Sequence, residues 1–396
     1  MTLRKLIFWP HLIAGTIAGT VVLIMSLTGV LLMYEKQMIT WADEREYKIA
    51  PPAGAERQPI ETLIAAVREG KKGTPSAVTL RSDPNAPVMF AFGRGGNVYV
   101  NPYTAEVLGN GSPGLRKFFH VVTDWHRWLG AHGDKRPMGR AITGASNLAF
   151  LFLVVSGFYL WWPKKWTRQH LKPVTLFRGG LSGKARDFNW HNVIGFWCAV
   201  PLFFVVLGAT VISYPWASNM VYRVTGSEPP KLQGPPGGRG PGGPGGPERP
   251  PGGPGGRSEI SVEKLNDAWA VAQRQVSGWR AITLRLPPSA RAPLTFTIDQ
   301  GYGGQPQKRT TLTINRETSD VVKTELFSSL DAGRRARTWL RFVHTGEYYG
   351  LTGQTIAGVA SAGAVVLVWT GIALSLRRFQ SWRSRKRVRA EVLVTR

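Results

Sequence analysis

The 396-residue sequence has little of the chemistry that usually identifies an enzyme. Its one cysteine, Cys198, excludes an intrachain disulfide and a Cys-x-x-Cys-His attachment site for haem. It has no Walker loop, no nucleophile elbow, no His-Glu-x-x-His motif and no convincing flavin or nicotinamide site. The sequence therefore shows no motif for nucleotide-driven, hydrolytic or zinc-protease chemistry.

Charged residues are missing from four long stretches, and each stretch is rich in apolar residues. A run of about 20 apolar residues, rising about 1.5 Å per residue, crosses a hydrocarbon core of about 30 Å. The first run is too long for a signal peptide and no small-x-small cleavage site follows it, so we expect it to be retained. The sequence therefore predicts four membrane spans, at about Leu12–Met33, Ala141–Trp162, Val193–Trp216 and Leu351–Leu376.

Basic residues outnumber acidic ones by 50 to 24, for a formal net charge of +26. They are concentrated between spans two and three, from Lys164 to Arg186, and after span four, from Arg377 to Arg389. The positive-inside rule places both clusters and the N-terminus in the cytoplasm. The charge then orients the chain and contacts anionic membrane lipid, and nucleic acid is not an expected partner.

Each external loop has a helical pattern followed by strands. In the first loop the helix includes Ile60 to Val67, and the strands include Ala77–Leu80, Val88–Phe92 and Val98–Val100. In the second, a helix from Val262 to Ala272 precedes strands at Ile282–Leu286, Leu294–Ile298 and Thr311–Ile314. The segment from Val98 to Val107 resembles the one from Leu312 to Val321. We therefore predict a four-helix membrane bundle with two α+β modules, internally duplicated.

The predicted order is span, module, span, repeated once. In residue numbers, the parts are span one 1–35, module one with an interfacial segment 36–139, span two 140–163, a basic loop 164–189, span three 190–216, a Gly/Pro-rich linker 217–257, module two with an interfacial segment 258–350, span four 351–376 and a basic tail 377–396. The core of the linker, Pro229 to Gly256, has the composition of an extended chain and is assigned no chemistry.

Four of the seven histidines recur at matching places in the two halves. His11 and His191 open spans one and three, each with a glycine four residues later and a tyrosine 23 residues later. His126 and His344 precede spans two and four on the other side of the membrane. A two-fold axis along the membrane normal brings the members of each pair together. His120 is the alternative to His126, whereas His132 and His170 are expected in solvent.

Two facing neutral imidazoles are the axial ligands that a b-type haem requires. The predicted ligands of two non-covalent haems are therefore His11 with His191, and His126 with His344. Gly15, Gly19 and Gly195 either allow the macrocycle to approach the backbone or serve helix packing. Trp197, Phe203 and Phe204 are expected between the haems, and Cys198 in the core. A copper or zinc site made by the same histidines is an alternative.

Several segments together resemble the bacterial PepSY-associated transmembrane proteins. They are His11 to Gly15, Asp124 to Leu129, Ser156 to Pro163, His191 to Gly195 and His344 to Leu351. The resemblance implies an inner-membrane protein with two periplasmic PepSY-type modules. It also implies a haem cytochrome that reduces ferric siderophores to release Fe(II). Since the sequence has no flavin or nicotinamide site, the electrons are expected from a separate donor, either membrane quinol or a cytoplasmic reductase.

Two classes of function thus follow from the sequence. The first is an oxidoreductase that passes electrons through two haems to ferric siderophore or another periplasmic acceptor. The second is a haem-free, membrane-anchored envelope protein whose PepSY-type modules bind or inhibit peptidases, with structural histidines. A visible absorption spectrum distinguishes them, because only the first protein is coloured.

Overall fold

A computed structural model of the chain describes residues 2–70, 74–93, 96–163, 165–230, 263–287, 289 and 292–394. The chain forms two compact units. The helical unit comprises Met1–Ile39, Gly114–Ser218 and Arg337–Arg396, and the sheet unit comprises Thr40–Pro113 and Asn219–Ala336. The predicted linker from Pro229 to Gly256 lies outside the described residues, apart from its first two.

The helical unit is built on long apolar helices. Its helices are α1 (Leu3–Leu32), α4 (Pro113–Trp128), α5 (Arg136–Trp161), α6 (Arg168–Thr175), α7 (Gly183–Ser213), α10 (Ala332–His344) and α11 (Gly350–Val394). Among the described residues, four helical stretches are long and apolar enough to cross a membrane, and they contain α1, α5, α7 and α11. The prediction of four spans is confirmed at this level.

The four long helices form a ring in which α1 and α7 lie diagonally opposite. Each of these two helices packs against both α5 and α11. His11 and His191 occupy the same position, the ninth residue of α1 and α7 respectively. Diagonal placement directs side chains of both helices into the interior of the bundle. Cys198 is buried there against Leu202, Ala360 and Ala364, as expected of a core residue.

Two helical segments extend beyond the predicted spans. The helix α11 continues to Val394, whereas span four was predicted to end near Leu376. A further helix, α2 (Glu35–Glu46), follows α1 after a short turn. Neither stretch contains glycine or proline, so nothing in the sequence ends the helix at the membrane surface. Both were missed because their residues are polar and carry no apolar period.

The sheet unit contains one antiparallel sheet of eight strands. The strands are β1 (Ala77–Arg81), β2 (Val88–Ala91), β3 (Asn97–Val100), β4 (Val107–Gly109), β5 (Ala281–Arg285), β6 (Leu294–Asp299), β7 (Arg309–Ile314) and β8 (Val321–Leu326). Their order across the sheet is β4-β3-β2-β1-β5-β6-β7-β8. The strands of both predicted modules therefore share one sheet, joined where β1 pairs with β5. The strand β8 was not predicted.

Two helices cover one face of this sheet. They are α3 (Ile60–Gly70) and α9 (Leu265–Gln275), and their apolar residues share a single core with the strands. Each helix caps the other: Glu61 Oε1 accepts hydrogen bonds from the backbone N–H groups of Leu265 and Asn266, at 2.7 and 3.2 Å. Asn266 Oδ1 in return accepts one from the Glu61 N–H, at 3.3 Å. The short helix α8 (Pro215–Val224) begins in the helical unit and ends in the sheet unit.

The two segments that resemble each other in sequence have the same local conformation. Asn101 and Asn315 each accept a hydrogen bond from the backbone two residues later, at 2.9 and 2.8 Å. Ala105 and Ser319 both have a φ near +58°, in the left-handed region. The strand pairs β3–β4 and β7–β8 each carry a register shift at their turn ends.

Candidate functional site

The four histidines predicted as ligands all lie in the helical unit, at two levels of the bundle. His11 and His191 lie near the first residues of α1 and α7, which are diagonally opposite in the bundle. His126 on α4 and His344 on α10 contact the opposite ends of the same two helices. Between His11 and Thr28, the contact of His126, α1 rises about 25 Å. We refer to these as the His11 pair and the His126 pair.

Each of the four imidazoles uses its Nδ1 atom in a hydrogen bond within the protein. His11 Nδ1 lies 2.8 Å from Ser156 Oγ on α5, and His191 Nδ1 lies 2.9 Å from Thr370 Oγ1 on α11. At the other pair, His126 Nδ1 lies 2.9 Å from Thr28 Oγ1, and His344 Nδ1 lies 2.8 Å from the Val205 carbonyl oxygen. The nitrogen that remains for a ligand is therefore Nε2 in every case.

The surrounding hydrogen bonds also determine the tautomer. The hydroxyl groups of Ser156, Thr370 and Thr28 each donate to a carbonyl four residues earlier in their own helix, at 2.6 to 2.8 Å. A hydroxyl has a single proton, so each of these oxygens accepts from the histidine. The Val205 carbonyl can only accept. All four rings thus carry the proton on Nδ1 and present an unprotonated Nε2, the form that binds a metal.

The His126 pair has the separation that one metal ion between two rings requires. A metal bonded at about 2.0 Å to each Nε2, with the ring centre roughly 1.1 Å behind the nitrogen, separates opposed ring centres by about 6 Å. The ring centroids of His126 and His344 are 6.2 Å apart. Burial lowers the pKa of both side chains, that of His126 to about 4, and so keeps both rings neutral at neutral pH.

A glycine lies beside each histidine. A Cβ on Gly157 would come within 3.2 Å of His11 Cε1, and one on Gly371 within 3.4 Å of His191 Cε1. At the other pair, Gly29 faces His126 Cε1 and Gly208 faces His344 Cβ, at 3.6 and 2.9 Å. At Gly157, Gly371 and Gly29 the missing Cβ lets the helix backbone approach the edge of the imidazole, whereas at Gly208 it lets α7 approach the Leu340 carbonyl and the Cβ of His344.

The glycines named from the sequence have another role. A Cβ on Gly15 would contact Leu153, one on Gly19 would contact Ile372, and one on Gly195 would contact Leu367. These neighbours belong to α5 and α11, so the structure favours the helix-packing alternative for all three.

Trp197 does not lie between the two histidine pairs, contrary to the prediction. Its side chain is 64% exposed, and its indole N–H donates to the Thr175 carbonyl of α6 at 3.0 Å. The expectation failed because helical position alone does not distinguish the interior of a bundle from its outer face. Phe203 and Phe204 are half-buried, and Phe204 stacks edge-on against Trp339.

The remaining histidines are exposed. His120 and His132 lie on either side of the buried carboxylate of Asp124, with Nδ1 at 3.4 and 3.7 Å from its Oδ2. His170 Nδ1 lies 2.6 Å from Oγ1 of Thr167, three residues earlier in the chain. His120 therefore makes no part of the His126 pair, in which the partner of His344 is His126.

The donor set fits haem better than a protein-ligated metal ion. Within the part of the chain that the structure describes, no group of three or more His, Cys, Asp or Glu side chains is arranged to hold a metal. Zinc in proteins usually takes four ligands. A haem iron requires only two axial ligands from the protein, because the porphyrin supplies the other four nitrogens. A pair of histidines is a complete protein contribution for haem.

Sequence reasoning missed the groups that orient the four imidazoles. Three of them occur as a hydroxyl residue followed by glycine: Thr28-Gly29, Ser156-Gly157 and Thr370-Gly371. The same pair occurs at six other places, among them Thr143-Gly144 and Thr352-Gly353, where the glycines face Tyr214 and Gly346 instead. The signal is present in the sequence but does not identify histidine partners by itself.

The family model described as the PepSY-associated TM region matches residues 8–378, which includes both histidine pairs. A search of curated proteins finds no match to the chain.

Proposed function

The chain belongs to the PepSY-associated transmembrane family, and from that premise we propose that it is a di-haem electron-transfer protein of the bacterial inner membrane. The observation that carries the proposal is the common state of the four histidines: each has Nδ1 engaged and Nε2 available. His11 and His191 would hold one haem b, and His126 and His344 the other.

The proposed direction of transfer follows from charge. Both basic clusters belong in the cytoplasm by the positive-inside rule, which puts the His11 pair on the cytoplasmic side and the His126 pair on the periplasmic side. Internal duplication of the chain accounts for two pairs with the same design. The two halves of the sheet are then its periplasmic PepSY-type modules.

Haem, when bound, would serve as a one-electron carrier, because its iron alternates between Fe(III) and Fe(II). The protein's residues hold each ring in one orientation and keep Nε2 unprotonated. Their Nδ1–H bonds make the imidazoles more basic and thereby favour Fe(III). No covalent bond of the protein is made or broken in such a transfer.

We propose a ferric siderophore as the periplasmic acceptor, as the family resemblance implies. One electron per iron reduces chelated Fe(III) to Fe(II), and it originates from membrane quinol or a cytoplasmic reductase. Protein reduced by dithionite should then be reoxidised on mixing with a ferric hydroxamate chelate, and a ferrous-specific chelator should record one Fe(II) per electron. Haem that stays reduced in the presence of the chelate would contradict this acceptor.

The cofactor is tested by the visible spectrum of the purified protein, before and after dithionite, with a pyridine haemochrome assay. We expect about two low-spin haems per chain, with a Soret band that sharpens and shifts to the red on reduction and split α and β bands. His191→Ala should leave about one haem per chain in a protein that still inserts. A colourless wild-type protein from haem-sufficient cells would reject the proposal and favour the peptidase-binding alternative.

The hydroxyl partners predict a shift in redox potential. Thr28→Ala removes one hydrogen-bond acceptor of His126 and leaves the backbone hydrogen bond with Met25, so the imidazole becomes less basic and Fe(III) less favoured. A hydrogen bond of about 1 kcal/mol corresponds to a rise of about 40 mV in the midpoint potential of one haem. A redox titration followed at the α band measures this change.

Thr16→Ala provides the matched control. Thr16 lies on the same helix and donates to the carbonyl four residues earlier, as Thr28 does, but its further contact is with Ser375. Both midpoint potentials should stay at the wild-type values in this variant. Equal shifts in the two variants would show that the hydroxyl of Thr28 acts on the helix and not on His126.

A further inference from the structure

Two arginines share a helix face with His344. Arg337 and Arg341 precede it by seven and three residues on α10, a spacing that places all three side chains on one side of the helix. Along the helix axis, the two arginines lie about 11 and 5 Å from His344. Both belong to the helical unit, as does the segment of α7 that this face contacts.

The packing of α10 along α7 creates a small cavity beside these arginines. His344 Nδ1 bonds to the Val205 carbonyl, and Gly208 lies directly against the Leu340 carbonyl. One turn further along α7, Val211 and Ile212 face Arg337 and Arg341 across a cavity of about 40 Å³. Arg337 Nε donates to Ser218 Oγ at 2.8 Å, which fixes the direction of its side chain. Two cationic side chains and two aliphatic ones therefore line a small space that is open to the surface of the helical unit.

The cavity has the chemistry of a carboxylate site. Guanidinium groups bind carboxylates through paired, charge-assisted hydrogen bonds. Resting on the proposed function above, we propose that Arg337 and Arg341 bind the propionates of the haem held by His126 and His344. A haem b carries both propionates on one edge, and that edge is the only charged part of the ligand's periphery.

The position of the arginines relative to the membrane supports this orientation. Charged groups are costly in hydrocarbon, so the propionate edge must point away from the bundle interior. The arginines precede His344 in the chain, whereas the apolar part of α11 follows it. A propionate edge that faces the arginines of α10 would therefore point away from the membrane-spanning helices.

The other ligand helix does not offer the same groups. On α4, the residues seven and three positions before His126 are Phe119 and Thr123, and Phe119 is buried. Arg127 follows His126 on α4, but its guanidinium lies over the Trp128 ring, 4.7 Å from the centroid. At the positions seven and three before the histidine, only α10 offers cationic side chains. This difference assigns the charged edge of the haem to α10.

The test measures haem retention and potential in the double variant Arg337→Gln with Arg341→Gln. Loss of two charge-assisted bonds should speed transfer of one of the two haems to excess apomyoglobin about tenfold or more. The midpoint potential of that haem should move to more negative values, because positive charge near the ring favours Fe(II). The other haem should keep its wild-type rate and potential.

Arg335→Gln is the control, because it removes the same charge from the opposite face of α10, nine residues before His344. If the double variant behaves like this control, the inference about Arg337 and Arg341 is wrong. The proposed function still stands in that case, provided that the wild-type protein contains two haems. A wild-type protein without haem would instead reject the proposed function itself.

A second arm distinguishes haem propionates from the carboxylate of another molecule. Apoprotein from haem-deficient cells is reconstituted with haem or with its dimethyl ester, which lacks both negative charges. We expect the double variant and the wild type to differ with haem and to behave alike with the ester. A difference that persists with the ester would mean that the arginines bind a different carboxylate, and the assignment to propionates would be wrong.

Discussion

His126→Ala is expected to lower the haem content from about two to about one per chain and to leave the His11 pair fully loaded. The reason is geometric: the ring lies 6.2 Å from that of His344, and nothing else on α4 takes its place in the pair. The remaining haem should keep a low-spin, six-coordinate spectrum, since both of its axial ligands are unchanged. Pyridine haemochrome assay and the reduced spectrum of the purified variant measure the effect.

His120→Ala is the control on the same helix. His120 is exposed and lies beside Asp124, so its loss should leave two haems and both spectra unchanged. If His120→Ala lost a haem and His126→Ala retained both, the ligand on α4 would be His120. The pair of variants therefore decides between the two histidines.

Gly208→Ala is expected to disturb the same haem without changing a ligand. A Cβ at this position overlaps the Leu340 carbonyl and comes within 2.9 Å of His344 Cβ. Since a backbone carbonyl cannot rotate away, α10 must shift on α7, at a cost of about 1 to 3 kcal/mol. We expect lower haem occupancy at the His126 pair and a lower midpoint of thermal unfolding, measured by the haem assay and by a thermal melt in detergent.

The comparison variant is Gly15→Ala. There the added Cβ would meet Leu153 at 3.6 Å, an ordinary van der Waals distance, and a methyl group should be accommodated. Haem content and melting temperature should equal those of the wild type. Full occupancy in Gly208→Ala, with an unchanged melt, would show that the contact between α7 and α10 does not hold His344 in place.

The parts of the fold that could be predicted are those with a local signal. Four uncharged apolar runs give four helices, because composition alone decides whether a segment enters a bilayer. The pairing of His11 with His191 was predicted from their equal spacing to the tyrosines that close spans one and three, and that of His126 with His344 from their places before spans two and four. In contrast, the joining of β1 to β5 depends on contacts between residues far apart in sequence, and no short pattern marks which edges of two modules will meet.

The orienting groups of the site were not predictable for a different reason. A threonine or serine that donates to the carbonyl four residues earlier is common in apolar helices, with or without a histidine nearby. Position 208 illustrates the limit. Counting from His11 and His191, Thr28 and Gly208 are equivalent, yet one supplies a hydroxyl and the other brings His344 directly to the Val205 carbonyl. The equivalent function comes from different atoms, which residue identities do not reveal.

The single sheet also constrains the time course of biosynthesis. Arg81 of β1 pairs with Ala281 of β5, so about 200 residues, which take about 10 to 40 s to synthesise, separate the two partners. A local hairpin, by comparison, closes within about 10 μs. During that interval β1 has one edge without its partner, which is a template for mispairing between nascent chains. The time needed to complete this core is therefore set by the rate of translation and by the insertion of α5 and α7, and not by the rate of strand pairing.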